Sequence, residues 1–256
     1  MEQVVYVDGK FYPASDAKVS VFDHGLLYGD GVFEGIRAYN KRVFKLERHM
    51  ERMYQSAKAI DLKIPHARAE FIELILQTCR RNNIVDGYIR PIVTRGPGDL
   101  GLDPRKCKRG PSVIIIAQPS IALYPKEKYE QGLKLVTSSY RRVPPQSLSP
   151  SIKSLNYLNQ NHSVMTPPTS TNLPGVTRET VLELAEELGI RAVEKPFTLY
   201  DVWASSEAFI TGTAAEIGPV VELDGRAIGD GKPGKVTKQL MKAFRELVTT
   251  TGTSIY

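Results

Sequence analysis

The chain has 256 residues but only two cysteines, one tryptophan and four histidines. No apolar run approaches the roughly 20 residues needed to cross a bilayer. Each shortage excludes a class. Cys79 lies in an apolar-periodic stretch and Cys107 in a basic one, so the pair makes neither a disulfide framework nor a zinc site. The expectation is one core thiol and one surface thiol, with no metal. The opening MEQVVYVDGKFYP lacks a basic segment followed by an apolar one, which argues against a secretory leader and for a cytoplasmic protein without membrane contact. Aromatics are 8% of the chain and do not interleave with basic residues. A nucleic-acid stripe is therefore absent, and the net charge of +6 suits a small anion such as a carboxylate or phosphate. What is present, 41% hydrophobic and 24% charged residues, suffices for one large or two modest domains.

VVYV and KFYP around Asp8-Gly9 predict a β-hairpin. Apolar residues at Leu46, Met50, Met53, Ala57 and Ile60 predict an amphipathic helix whose other face carries Arg48, Arg52 and Lys58. A second helix is expected over roughly 67–82, followed by strands GYIRPIVTR and SVIIIAQP, the latter buried on both faces. Strands, two helices and strands again make an α+β first domain, residues 1–118. Pro119 and Pro125 mark 119–131 as a linker. The second domain, 132–256, opens with a strand in LKLVTSSY. It continues with a helix over about 177–188, short strands IRAVEK and EAFITGT, a hairpin turning at Asp224-Gly225, and a helix over roughly 235–248.

Three stretches offer chemistry. In PGVTRET a helix begins near Val176 and Thr177, where unpaired N–H groups and the helix dipole favour an anion, although a turn with an ordinary threonine cap accounts for the same residues. In FITGTAAEIGP a strand ends at Gly212 between Thr211 and Thr213, and small Ala214 and Ala215 leave room for a ligand; a plain tight turn is the alternative. Arg52 offers a permanent bidentate charge, or else only a solvated helix face. Lys153, set among Ile152, Leu155, Tyr157 and Leu158, shifts the balance, because a partly buried lysine has its pKa lowered towards a usable amine. An amine nucleophile together with a phosphate cradle is what pyridoxal phosphate requires.

Taken together, DHGLLYGDGVFEGIRAY, LERHMERMYQSAKAI, GYIRP, IKSLNYLNQ, TNLPGVTRETVLELA and TGTAAEIGPV resemble, in order and over nearly the whole chain, the fold-type IV pyridoxal-phosphate aminotransferases. The branched-chain amino acid aminotransferases are the best match. The resemblance implies a small α/β N-terminal domain and a larger pseudo-barrel α/β C-terminal domain. It implies Lys153 as the lysine that links to pyridoxal 5'-phosphate and moves the substrate Cα proton. Arg52, Val176, Thr177 and Thr213 correspond to phosphate binders, Tyr157 to the partner of the cofactor's phenolic oxygen, and Leu173 to the residue against the pyridine face. Tyr28, Phe33, Tyr88, Arg90, Tyr124 and Ala214 correspond to the substrate pockets. Family members build each site with residues of a partner subunit, which implies a homodimer or higher homo-oligomer.

Relatives continue from KSxNYLN through a helix, a strand, a SEGxxxN-type motif and another strand. Here Gln160 is followed almost directly by the TPP segment, so several tens of residues are missing between about 160 and 166. The missing piece would carry the glutamate that keeps the pyridine nitrogen protonated. The implied activity is transamination of leucine, isoleucine and valine with 2-oxoglutarate. Alternatives on the same scaffold are a cofactor-binding remnant without turnover, D-amino acid transamination and aminodeoxychorismate cleavage.

Overall fold

The computed structural model describes residues 2–119, 123–138, 144, 146–156, 169–170 and 172–256. The chain forms two compact units, the first comprising Met1–Ile121, Ile152–Leu158 and Thr251–Tyr256, the second Ala122–Ser151 and Asn159–Thr250.

In the first unit β1 (Val4–Val7) and β2 (Lys10–Pro13) form the expected hairpin. It turns through Asp8 and Gly9, both at positive φ as a two-residue turn between twisted strands requires. There follow α1 (His24–Tyr28), β3 (Gly31–Phe33), β4 (Ile36–Tyr39), β5 (Arg42–Val43), α2 (Leu46–Ala59), α3 (Arg68–Arg81), β6 (Gly87–Thr94) and β7 (Ser112–Pro119). These strands and the terminal strand Thr253–Ser254 make one antiparallel sheet, in the order terminal strand, β5, β4, β6, β7, β1, β2, with β3 also on β6.

The junction of β3 and β4 positions the site. Ile36 of β4 pairs with Ile89 and Phe33 of β3 with Ile92, so both strands lie on the same side of β6 with Glu34 and Gly35 between them. The Glu34 N–H donates to the Pro91 carbonyl at 3.0 Å. In an antiparallel strand a residue's N–H and C=O face the same neighbour, so Pro91 has no N–H to return to the ladder here. The ladder breaks at that point.

Helices α2 and α3 cover the sheet. Met50 and Met53 of α2, Phe71 and Ile75 of α3, and Ile36, Ile89 and Ile115 of the sheet are fully buried in one cluster. Each such side chain contributes roughly 1.5–3 kcal/mol. β7 is buried on both faces, as its apolar run predicts, because Ile114 packs with Val5 and Val7 in a second small cluster.

The second unit contains α4 (Lys126–Gln131), β8 (Leu133–Leu135), α5 (Val176–Glu187), α6 (Leu199–Trp203), β9 (Ala208–Gly212), β10 (Glu216–Leu223), β11 (Arg226–Ala227) and α7 (Lys235–Thr250). β10 is central, parallel to β8 and antiparallel to β9 and β11. Its hairpin to β11 turns at Asp224 and Gly225, again at positive φ. Leu133, Ile210, Ala215, Val220 and Ile228 form the core cluster, and α7 buries Leu240, Phe244 and Val248. The Glu207 carboxylate caps α7 by accepting from the N–H groups of Val236 and Thr237.

Four expectations need correction. The span read as a linker contains α4, because Pro125 stands at the N-cap, where its fixed φ of −62° and missing N–H cost the helix nothing. IRAVEK, residues 190–195, is not a strand: the residues are mostly exposed, and alternation without a ladder partner cannot satisfy the backbone. The strand expected in LKLVTSSY stops at Leu135, and residues 139–143 lie outside the described set. Cys107 is buried, at 8% exposure, because its basic loop folds the thiol inward. No helix among the described residues is long and apolar enough to cross a membrane.

Candidate active site

Lys153 belongs to the first unit, sewn onto β3 and α2. The Phe33 N–H donates to the Lys153 carbonyl at 3.1 Å, and the Leu155 N–H to that of Gly31 at 2.9 Å. Val32 and Ser154 form an antiparallel bridge, and the Lys153 N–H donates to Ser56 Oγ of α2 at 3.0 Å. The chain around the amine is thus held on two sides by elements with fully buried cores. The side chain is 7% exposed, and its Nζ lies 4.7 Å from the centre of the Phe33 ring. Burial pulls the amine's pKa down to about 7; the Glu34 carboxylate works against this, while Arg52 and Arg90 add to it. A substantial neutral fraction near pH 7 makes the amine a nucleophile and a proton acceptor.

Arg52 is not on the solvated face of α2, as helical spacing suggests, but 5% exposed. Its Nε donates to Glu34 Oε1 at 2.7 Å and its Nη2 to Oε2 at 2.6 Å. Nδ1 of His49, one turn earlier on α2, lies 2.8 Å from Glu34 Oε2. Burial alone would raise the Glu34 pKa, but the Arg52 charge and the hydrogen bonds from His49 and Arg52 hold it at about 2. Burial is also the main reason the His49 pKa is lowered.

Phe33, Tyr88 and Arg90 come together in this unit. Arg90 Nη2 donates to the Tyr88 hydroxyl at 2.9 Å, and its guanidinium lies 4.8 Å from the Phe33 ring centre and 5.4 Å from that of Tyr88. Gly35 makes room for this, since a Cβ there would overlap the Tyr88 hydroxyl. Arg90 Nε is buried without an acceptor among the described residues. An unsatisfied buried donor is costly, and its presence beside the amine suits an incoming carboxylate. Tyr28 is held elsewhere in the unit, its hydroxyl donating to the Leu100 carbonyl at 2.6 Å.

The second unit carries the remaining expected residues. α5 begins at Val176, with Gly175 at the N-cap and no described side chain capping it. Val176 and Thr177 are buried, and α5 packs on β9, which ends at Gly212 before Thr213 and Ala214. Among the described residues, a Cβ on Gly212 would meet Ala215 at ordinary van der Waals distance. Leu173 is half-buried just before α5. Tyr124 packs on the unit's core, edge-on to Tyr129, whose hydroxyl donates to the Ala215 carbonyl. Tyr157 lies outside the described residues.

A buried low-pKa amine and a buried arginine in the first unit are groups that suit an aldehyde bearing a phosphate. The family model described as amino-transferase class IV matches residues 31–163 and 158–223. The chain belongs to the class IV aminotransferases. It is 45% identical to the putative branched-chain-amino-acid aminotransferase of Methanocaldococcus jannaschii, over 98% of this chain and 99% of that one. It is 35% identical to the branched-chain-amino-acid aminotransferase of Pseudomonas aeruginosa, over 96% and 93%. Among solved structures it resembles the Escherichia coli branched-chain amino acid aminotransferase, with a TM-score of 0.91, 31% identity and coverage of 98% and 96%. It also resembles the T.th. branched-chain amino acid aminotransferase with pyridoxamine 5'-phosphate, with a TM-score of 0.89, 32% identity and coverage of 97% and 95%. These similarities establish the fold-type IV α+β architecture and an enzyme of the aminotransferase type.

The alignment with the Methanocaldococcus protein has 289 positions against a chain of 256 residues, so at least the difference of 33 is left empty by this chain. The family match breaks into two stretches meeting at residues 158–163.

Sequence reasoning did not assign Glu34, His49 or Ser56. The signals were there: a glutamate inside the apolar run VFEGI, and His49 and Ser56 three and four residues from Arg52, on one helix face.

Proposed function

We propose that the chain transaminates branched-chain L-amino acids, leucine, isoleucine and valine, with 2-oxoglutarate, yielding branched 2-oxo acids and L-glutamate. The observation that carries this reading is the buried Lys153 amine, with its pKa near 7, in the same unit as buried Arg52 and beside Arg90. Pyridoxal 5'-phosphate, when bound, supplies the electron sink that makes the substrate Cα proton removable. Lys153 takes that proton and returns it, a role open to an amine that is partly neutral at working pH. On the family resemblance, Arg52, the N–H groups of Val176 and Thr177, and Thr213 would hold the phosphate, Leu173 would lie against the ring and Tyr157 would bond its phenolic oxygen. Arg90 would receive a carboxylate on its Nε side, and Phe33 and Tyr88 beside it would form an apolar wall for the branched side chain; Tyr28, Tyr124 and Ala214 are assigned to the substrate pockets by the resemblance.

We also read the chain as a cytoplasmic homodimer. Val21, Phe22, Leu26, Leu100 and Leu102 are exposed large hydrophobics on neighbouring segments, since the Gly98 N–H donates to the Phe22 carbonyl and the Tyr28 hydroxyl to that of Leu100. Such a patch supports burial against a second copy.

The test is to add pyridoxal phosphate and follow its absorbance as leucine is supplied. Conversion of the lysine-linked form to the amino form of the cofactor, reversed by 2-oxoglutarate, is expected. A bound form that no branched-chain donor converts would overturn the assignment. It would favour a second reading, a cofactor binder without turnover. The empty alignment positions support that reading, because the family match breaks where the segment bearing the ring-nitrogen glutamate is expected.

A further inference from the structure

Helix α2 carries Arg52 and, four residues on, Ser56, so the two share a face about 6 Å apart along the axis. Ser56 is 2% exposed, and its helix neighbours Met53 and Ala57 are buried in the core cluster, so its hydroxyl cannot shift without moving the helix. That hydroxyl accepts from the Lys153 N–H at 3.0 Å. Bonds further along the same segment run instead to residues 29–33. The Phe33 N–H donates to the Lys153 carbonyl at 3.1 Å, the Leu155 N–H to that of Gly31 at 2.9 Å, and Asn156 Nδ2 to that of Gly29 at 3.1 Å. Strand and segment are in close contact there, since a Cβ on Gly31 would come within 2.7 Å of Leu155 Cδ1. Lys153 is thus the point at which this segment passes from β3 to α2.

We propose that Ser56 is a positioning residue for Lys153: its hydroxyl hangs the Lys153 backbone on α2, one turn from Arg52, and so sets the spacing between the reacting amine and the charge that receives the phosphate. The inference rests on the pyridoxal-phosphate reading for what the amine and the arginine meet, and extends it. A residue whose N–H and C=O are both held has the direction of its Cα–Cβ bond fixed, which is how a supporting hydrogen bond aims a side chain it does not touch. With its carbonyl on β3 and its N–H on α2, Lys153 begins its reach from a point set by both elements. Arg52 begins from the same helix and is tied to Glu34 by the bonds described above. The aldehyde and the phosphate of one ligand are a fixed distance apart, so the groups that meet them must be too, and a misplacement of about 1 Å costs on the order of a hundredfold in reactivity. Because the hydroxyl acts on the backbone of Lys153, its role does not depend on what else the amine or the guanidinium touches.

The test compares two aldehydes on the full chain, pyridoxal 5'-phosphate and pyridoxal, which lacks the phosphate, by borohydride fixation and mass spectrometry of the Lys153 peptide. In the wild-type chain the phosphate form should label Lys153 preferentially. Ser56→Ala is expected to lower that preference by about tenfold while pyridoxal labels Lys153 much as before. Ser56→Thr, which keeps the hydroxyl, is expected to restore the preference. Asn156→Ala, which releases the same segment from Gly29 and leaves it on α2, is expected to keep it. A folded Ser56→Ala protein with the wild-type preference overturns the proposal. An Asn156→Ala protein that loses as much also overturns it, because general loosening of the segment then explains both. Should Ser56→Ala fail to fold, Ser56→Cys, which keeps the volume and weakens the acceptor, takes its place with the same outcomes. If the wild-type chain shows no preference for the phosphate form, it is the proposed function that fails, and Ser56 is judged without cofactor by the rate at which acetic anhydride acetylates Lys153. A several-fold change in Ser56→Ala that Ser56→Thr reverses supports the placement of the amine by Ser56, and an unchanged rate overturns it.

Discussion

The two units differ in how deeply they are built. Of the twelve largest fully buried side chains among the described residues, ten lie in the first unit and only Ile217 and Ile228 in the second. The first rests on an eight-stranded antiparallel sheet, the second on four strands of which β8 and β11 have three and two residues. The amine and Arg52 belong to the first, while the helix start at Val176 and the turn at Thr213 belong to the second. A lysine with its pKa pulled to about 7 needs a surrounding that does not relax or admit water, and a deep core provides one. Backbone donors at a helix start need only the helix. The family match breaks at residues 158–163, where the chain passes from the first unit to the second.

Substitutions sharpen that contrast. Lys153→Met should cost the largest effect, a loss of turnover of at least about a hundredfold, as expected for removal of a proton-transfer group. The same change should stabilise the fold by up to about 4 kcal/mol at and below neutral pH, because the folded state disfavours the charged amine that the unfolded chain carries. That gain should fade as pH rises from about 7 towards 10.5. Chemical denaturation at several pH values reads both the gain and its fading.

Acid tests the Glu34 anchor of the first unit. The Glu34 pKa is held at about 2, below its ordinary 4.5, so its contribution is present above 4.5 and is lost as pH falls towards 2. About 3 kcal/mol should disappear over that window, and Glu34→Gln should flatten the loss. In the core, Ile115→Ala should cost roughly 2–5 kcal/mol by leaving a cavity in the cluster that holds Phe71 and Ile75. Hydrogen exchange should show amides of β6 and β7 opening only with global unfolding, and those of β8 and β11 opening earlier. Equal protection in both sheets would remove the contrast. Smallest of all, Thr213→Val should weaken pyridoxal phosphate retention by about 1 kcal/mol, roughly tenfold or less, as one hydrogen bond is lost.

The periodic elements were legible in the sequence, because α2 and α3 bury their apolar stripes and the Asp-Gly pairs at 8–9 and 224–225 adopt the positive φ that such turns require. Less legible was anything set by distant partners. Arg52 reads as solvated on helical spacing, yet Glu34, 18 positions earlier, draws it inward. IRAVEK has strand composition but no described partner to make a ladder. Cys107 sits among basic residues in sequence and is nonetheless buried. Local pattern shows what a segment can be; the partner decides whether it is.

The central claim is that Lys153 holds the cofactor with an amine left partly neutral by burial. The most direct measurement is to add pyridoxal phosphate near neutral pH, fix it with borohydride and locate the label by peptide mapping. A single label on Lys153 is the result this account predicts. Labelling at other lysines with Lys153 unmodified would contradict it.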